Sequence, residues 1–311
     1  MKVLVTGGAG YVGSCLLPML LEAGHDVTMI DMFMFGCHPI MHIASHPQFT
    51  VINDDVRNEG VIKKHLKGKD LIIHLASIVG FPACARDESA AVSTNLGSTK
   101  LIVDNMEMGQ HLFYASSGSS YGRVKEICTE EVPINPLTLY GRTKAESEAY
   151  IFNSKHGKNS IAFRFATAFG VSPRIRLDLL VNDFVYKALH DKIIVLFEGH
   201  FRRTFLHVKD CAYSYIHMID RIDSCNGEIY NVGSNDMNYT KKEVALMIQK
   251  KVNYELYEAG VGKDLDERDY EVSYDKIIKT GFSNTIDFET GLNELIKVLT
   301  FMKLRMEFRN A

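Results

Sequence analysis

The order of segments along the chain predicts an α/β protein: a doubly wound parallel sheet, followed by a smaller α/β region. Three observations carry this expectation. Short, nearly continuous apolar runs alternate with segments of helical period, the pattern of a parallel sheet covered on both faces. The first run, "KVLVT", opens into a glycine-rich turn and then a helix. Asp31 closes the second run, 18 residues beyond Gly13.

The elements follow in order. "KVLVTG" leads to "YVGSCLLPMLLEAG", apolar at helical spacing and ending in a glycine suited to a C-cap. "DVTMID" and "FTVIND" read as strands, with a helix around Glu59 to Leu66 and the strand "DLIIHLAS" after it. A longer helix is expected from about Glu88 to Met108, then the strand "HLFYASS". A helix starts near Thr138, and "SIAFRFAT" reads as one strand. This defines residues 1–167 as a cofactor-binding core.

From 168 to 311 the rhythm is irregular, and a substrate-binding region with some elements returning to the core is expected. "DLLVNDFVYKALHD" and "VKDCAYSYIHMIDRI" read as helices, "KIIVLFEG" and "EIYNVG" as strands. "TKKEVALMIQKKV" opens with a threonine N-cap. "TGLNELIKVLTFMKLRMEF" reads as a long amphipathic helix whose Met and Leu stripe suits packing.

The 311 residues are 46% hydrophobic and 23% charged, enough for a substantial core. A net charge of -3 gives no electrostatic case for nucleic acid or an anionic membrane. The six cysteines are scattered without metal-ligand spacing, so no metal is expected and reduced thiols suit a cytoplasmic protein. The chain opens on a strand, and no apolar run reaches ~18 residues, so neither a signal peptide nor a membrane span is expected.

"VTGGAGYVG" places Gly7, Gly10 and Gly13 between strand and helix, with Tyr11 and Val12 on the same surface. Gly7 permits the tight turn, Gly10 lets backbone N–H groups approach a pyrophosphate, and Gly13 allows close helix packing, as in a Rossmann-type dinucleotide site. The Asp31 carboxylate suits ribose hydroxyls and repels a 2′-phosphate, which selects NAD over NADP. Asp55 and Val56 in "NDDVRN" follow the third strand, where side chains flank an adenine ring.

"LYGRTK" puts Tyr140 and Lys144 four residues apart, on one face of a starting helix. A phenol is a poor base at neutral pH, and a neighbouring ammonium favours its phenolate. The pair therefore reads as a proton-transfer site.

With these residues in place, the sequence resembles the extended short-chain dehydrogenases/reductases that act on nucleotide sugars. The resemblance rests on "TGGAGYVG", Asp31, "NDDVRN", "IIHLAS", "TNLGSTK", "SSGSSYG", "YGRTK" and "FRRTFLHVKD". It implies that Ser117 binds the reacting sugar oxygen, Tyr140 is the acid/base, and Lys144 orients tyrosine and cofactor. It also implies that Ala76 and Ser77 line the cofactor cleft, with Asn95 beneath the cofactor. Arg203 matches a phosphate-binding arginine, and Arg268 with Asp269 reaches the nucleotide from the C-terminal cap. "SPRIRLDLLVNDF" would line the nucleotide pocket, Asn182 being its expected polar contact. A homodimer through helices near 88–108 and 138–156 follows from the same resemblance.

Two departures narrow the reaction. The family's 4,6-dehydratases carry an Asp-Glu pair after the catalytic Ser/Thr, where this sequence has Gly118 and Ser119. Thr167 stands where many 4-epimerases and dehydratases have asparagine. A narrower resemblance is to GDP-heptose 4-dehydrogenase-like members of bacterial surface-polysaccharide synthesis. The expectation is NAD-dependent oxidation or epimerisation at C4 of a nucleotide-linked hexose or heptose. The alternatives are a 4-ketoreductase, a 4,6-dehydratase or a non-catalytic cofactor-binding scaffold.

Overall fold

Val3, Leu4 and Val5 are all fully buried, so the first strand is covered on both faces. Val3 and Val5 join one apolar cluster and Leu4 another, which places the strand between two layers of helix. The computed structural model describes residues 1–124, 126–260, 269–303 and 308–310.

The strands are β1 (Lys2–Thr6), β2 (Asp26–Asp31), β3 (Phe49–Asn53), β4 (Leu71–His74), β5 (His111–Ser117) and β6 (Ser160–Phe165). They continue as β7 (Thr167–Phe169), β8 (Ile193–Leu196), β9 (Arg202–His207), β10 (Glu228–Val232), β11 (Asn238–Thr240) and β12 (Glu255–Glu258). Seven form a parallel sheet in the order β10-β6-β5-β4-β1-β2-β3. The order reverses between β1 and β4, and the crevice beyond their C-terminal ends is where such sheets bind ligands. Helices Gly13–Glu22 and Val208–Ile219 cover one face through Leu16, Leu17, Cys211 and Tyr215. Helices Glu59–Leu66, Ser98–Asn105 and Leu139–Phe152 cover the other through Ile62, Ile102, Val103 and Ile151.

A third cluster, from Phe169 to Phe308, unites the helices Leu180–His190, Lys241–Gln249 and Phe288–Leu299. Beside it lie the small sheets β11-β9-β7 and β12-β8. β10 and the helix Val208–Ile219 return from this half of the chain to the large sheet.

Three elements differ from expectation. "SIAFRFAT" is two strands: the chain leaves the large sheet after Phe165, and β7 pairs with β9 instead. The helix expected over Glu88 to Met108 contains a π turn, Ser93–Gly97, and ends at Asn105. The last helix spans only Phe288–Leu299, begun by Asp287, whose carboxylate accepts from Thr290 N at 2.7 Å. No helix among the described residues is long and apolar enough to cross a membrane.

Candidate active site

At the crevice the chain turns at Gly7 with φ +73°, and a Cβ there would lie 2.6 Å from Ala76 N. Only glycine lets the ends of β1 and β4 approach this closely. The N–H groups of Tyr11 and Val12 find no acceptor among the described residues, and both residues border a cleft of about 400 Å³. They are free to meet a diphosphate at the helix N-terminus. Tyr11 Oη donates to Gly170 O at 2.7 Å, which anchors the loop to the second half of the chain.

Asp31 borders the same cleft and accepts from Ala9 N at 2.9 Å and Phe33 N at 2.8 Å. Burial pushes its carboxyl pKa up, and the two N–H bonds oppose that shift. Asp55 is gripped by Arg57, with Nη2 to Oδ2 at 2.5 Å, and this bond holds its pKa below the usual range. Val56, Ala76 and Ser77 complete this end of the cleft.

The other end is built by β5 and the helix Leu139–Phe152. Thr138 caps the helix, its Oγ1 accepting from Gly141 N at 3.1 Å. A Cβ on Gly141 would lie 2.8 Å from Ser119 O, so the first helical turn presses directly on the segment after β5. That approach brings Tyr140, Lys144, Ser117 and Ser119 to one cleft wall. Ser117 Oγ donates to Ser119 Oγ at 3.0 Å and accepts from Ser119 N at 3.1 Å.

Lys144 is 3% exposed, and its Nζ donates to Ala115 O at 2.7 Å. The ammonium lies 5.8 Å from the centre of the Tyr140 ring and 4.9 Å from that of Tyr114. Burial pulls its pKa down to about 7. Burial thus disfavours the charged form of Lys144 beside the Tyr140 ring.

The remaining site residues divide by depth. Thr167 borders the same cleft. Asn95, carried inward by the π turn, lies behind the wall: Oδ1 accepts from Ser77 Oγ at 2.9 Å and Ile78 N at 2.8 Å, and Nδ2 donates to Thr143 Oγ1 at 3.2 Å. It braces the Ser77–Ile78 segment against the helix Leu139–Phe152. Asn182 also lies behind the wall, which corrects its reading as a polar contact for the nucleotide. Its amide is fully buried, accepts from Gly170 N at 3.0 Å and donates to Arg176 O at 2.8 Å. Arg203 is 2% exposed on β9. Arg268 lies outside the described residues.

The polar groups that "SPRIRLDLL" does present are Arg174 and Arg176. Arg176 pairs with Asp178 at 2.5 Å. Arg174 packs 3.9 Å from the centre of the Phe35 ring and donates to Asn310 Oδ1 at 2.7 Å. Burial lowers its pKa to about 10. Two arginines in a stretch without helical or strand period were the available signal. Tyr270, also at the cleft, had none beyond its neighbour Asp269.

Among the described residues no group of His, Cys, Asp or Glu could hold a metal ion. The glycine cradle, its free N–H groups and the half-buried Asp31 fit a dinucleotide carrying free ribose hydroxyls. When bound, NAD supplies a hydride acceptor.

Comparison with known proteins agrees with this geometry. The chain is 26% identical over 310 residues to UDP-glucuronic acid decarboxylase 1 of Danio rerio, covering 95% of this chain and 72% of the relative. It is 27% identical over 277 residues to UDP-glucose 4-epimerase of Corynebacterium glutamicum, covering 80% of each. Its fold matches the crystal structure of UDP-glucuronic acid 4-epimerase from Bacillus cereus in complex with UDP-glucuronic acid and NAD. There the TM-score is 0.84 at 24% identity, covering 96% of this chain and 99% of the other. Residues 3–233 match the NAD dependent epimerase/dehydratase family, and the chain belongs to it.

Proposed function

We propose that the protein is an NAD-dependent oxidoreductase or epimerase acting at C4 of a nucleotide-linked hexose or heptose, with a GDP-linked sugar favoured. One observation carries the reading: Ser117, Tyr140 and Lys144 share a cleft wall, while Gly118 and Ser119 supply no carboxyl group. Ser117 and Tyr140 hold the sugar hydroxyl. Tyr140 takes its proton, and bound NAD would supply the acceptor for the C4 hydrogen and its electron pair. Lys144 favours the phenolate that accepts this proton. Without an acid and base at 118 and 119, the 4-keto sugar does not go on to lose water. Returning the hydride to the opposite face would give the C4 epimer, and supplying a 4-keto sugar runs the same steps as reduction.

Arg174 and Arg176 at the cleft suit the nucleotide's phosphates, and the segment carrying them supports the resemblance to GDP-heptose 4-dehydrogenase-like enzymes and a place in surface-polysaccharide synthesis. The region 168–311 supplies most of the sugar-nucleotide pocket in this reading, and Arg203 and Arg268 are retained as phosphate ligands. Residues of Ser98–Asn105 and Leu139–Phe152 leave a shallow surface between Lys100 and Tyr150, which suits a homodimer.

The test is incubation with NAD and a panel of GDP-, UDP- and dTDP-sugars, followed by mass spectrometry and NMR. A 4-keto product or C4 epimer is expected for at least one sugar. Absence of both, with no reduced cofactor for any sugar, would reject the proposal.

A further inference from the structure

Tyr270 reaches the cleft from the C-terminal half of the chain, and its backbone is held on both sides. Asp269 bridges to Arg123, and Val272 bridges to Cys128. Asp269 Oδ1 accepts from Arg202 N at 2.9 Å, and Glu271 pairs with Arg202 at 2.9 Å. The Tyr270 side chain is only 4% exposed and packs with its ring centre 6.3 Å from that of Tyr121. Tyr121 is itself fixed, donating to Asn231 Oδ1 at 2.7 Å.

The Tyr270 hydroxyl is the part left without a partner: it makes no hydrogen bond among the described residues. A Cβ built on Gly118 would lie 3.3 Å from this hydroxyl oxygen and 3.3 Å from Phe165 O. The hydroxyl therefore stands over the residue next to Ser117, in the cleft that Tyr140 and Thr167 also border. A phenol locked by packing, with its hydroxyl turned to the contents of a cleft, is preorganised for a polar ligand. A methyl group at 118 would press on both the phenol and the β6 carbonyl, which would each have to give by a few tenths of an ångström.

We propose that Tyr270 is a substrate-contacting residue that hydrogen-bonds a sugar hydroxyl beside the reacting carbon and fills the space a side chain at 118 would need. The proposal rests on reading the cleft as a nucleotide-sugar site. A phenol is a far weaker acid than a carboxylic acid, so it holds a hydroxyl without expelling it as water. Tyr270 thus orients the sugar at the place where an acidic side chain would promote elimination.

The experiment is calorimetric titration of the NAD-loaded protein and of Tyr270→Phe with the best-bound sugar of the GDP, UDP and dTDP panel. Its 2-, 3- and 6-deoxy forms are titrated in parallel. Tyr270→Phe keeps the ring, so retained NAD and an unchanged far-UV spectrum are the folding control. Affinity for the parent sugar is expected to fall about 10-fold, the loss of one neutral hydrogen bond. One deoxy sugar is expected to bind both proteins equally and so identify the hydroxyl concerned. Equal binding of the parent sugar to both proteins, or an equal loss for every deoxy form, overturns the inference alone. If the wild-type protein binds no nucleotide sugar, the reading of the cleft fails and the inference with it.

Discussion

The carboxylate of Glu148 and the guanidinium of Arg164 meet at 2.7 Å, with side chains only 3% and 5% exposed. Arg164 also donates through Nε to both Glu148 oxygens at 3.1 Å, and Ser116 Oγ donates to Glu148 Oε1. This network ties the helix bearing Tyr140 and Lys144 to β5 and β6. It therefore holds the helix bearing Tyr140 and Lys144 against the strand that ends in Ser117.

Glu148→Leu should be costly because it leaves the Arg164 charge buried without its partner. Such a loss amounts to about 3–5 kcal/mol. A fall in melting temperature on the order of 10 °C is expected by differential scanning calorimetry. A change within 2 °C (roughly one kcal/mol or less) would show that the pair does not hold the two elements together.

Tyr140→Phe removes the proposed acid/base while leaving the cleft's shape. Turnover of the best sugar in the panel should fall by roughly 10²–10⁴-fold. NAD content, measured by mass spectrometry of the purified protein, should stay unchanged. Unaltered turnover would remove Tyr140 from the mechanism.

The buried Lys144 makes stability depend on pH. Its folded pKa is about 7, below the ordinary lysine value, so between about 7 and ~10.4 the unfolded chain binds more protons there. Stability from this site therefore rises with pH across that window and is lost as pH falls toward about 7. The urea midpoint of the wild-type protein, relative to Lys144→Met, should climb between pH ~7 and ~9. Parallel profiles would show that Lys144 titrates normally.

Asp31 should set cofactor choice. Asp31→Ser removes the charge opposed to a 2′-phosphate and weakens the ribose contact. The preference for NAD over NADP, read from equilibrium binding, is expected to narrow about 10–100-fold, or roughly 1.4–2.8 kcal/mol. An undiminished preference would mean that another group senses the ribose.

Asn182→Ala tests the wall. It strips the buried Gly170 N–H of its acceptor, at about 1–3 kcal/mol. Denaturation should show that loss, with nucleotide-sugar affinity changed little. The reverse pattern would return Asn182 to the binding surface.

Locally signalled features were legible. Helix Glu59–Leu66 lies where its pattern places it, with Asn58 Oδ1 accepting from Val61 N. Thr240 forms a full capping box with Glu243. Gly24, with φ +78°, ends the first helix as its position suggests, His25 N reaching back to Leu20 O at 3.1 Å. In each case the signal and its consequence lie within a few residues of one another.

Features decided at long range were not legible. The break at Ala166 looks like continued strand, because the pairing of β7 with β9 depends on residues some forty positions later. The π turn at Ser93–Gly97 has no period of its own, yet it turns Asn95 toward Ser77 and Thr143. Asn182 was misplaced because a polar residue on an amphipathic helix can serve solvent, a ligand or a buried backbone. Here the Gly170 N–H claims it.

The glycine cradle, the acidic Asp31 closing β2 and the Tyr140–Lys144 spacing could all be read from the sequence alone. Each is a short-range geometric requirement written into neighbouring residues. Only the tertiary structure decided which side chains face the cleft. Arg174 meets Phe35 across about 140 positions, and Tyr270 stands over Gly118 across about 150. Such contacts are set by the packing of distant segments on one sheet, which has no periodicity for a local reading to detect.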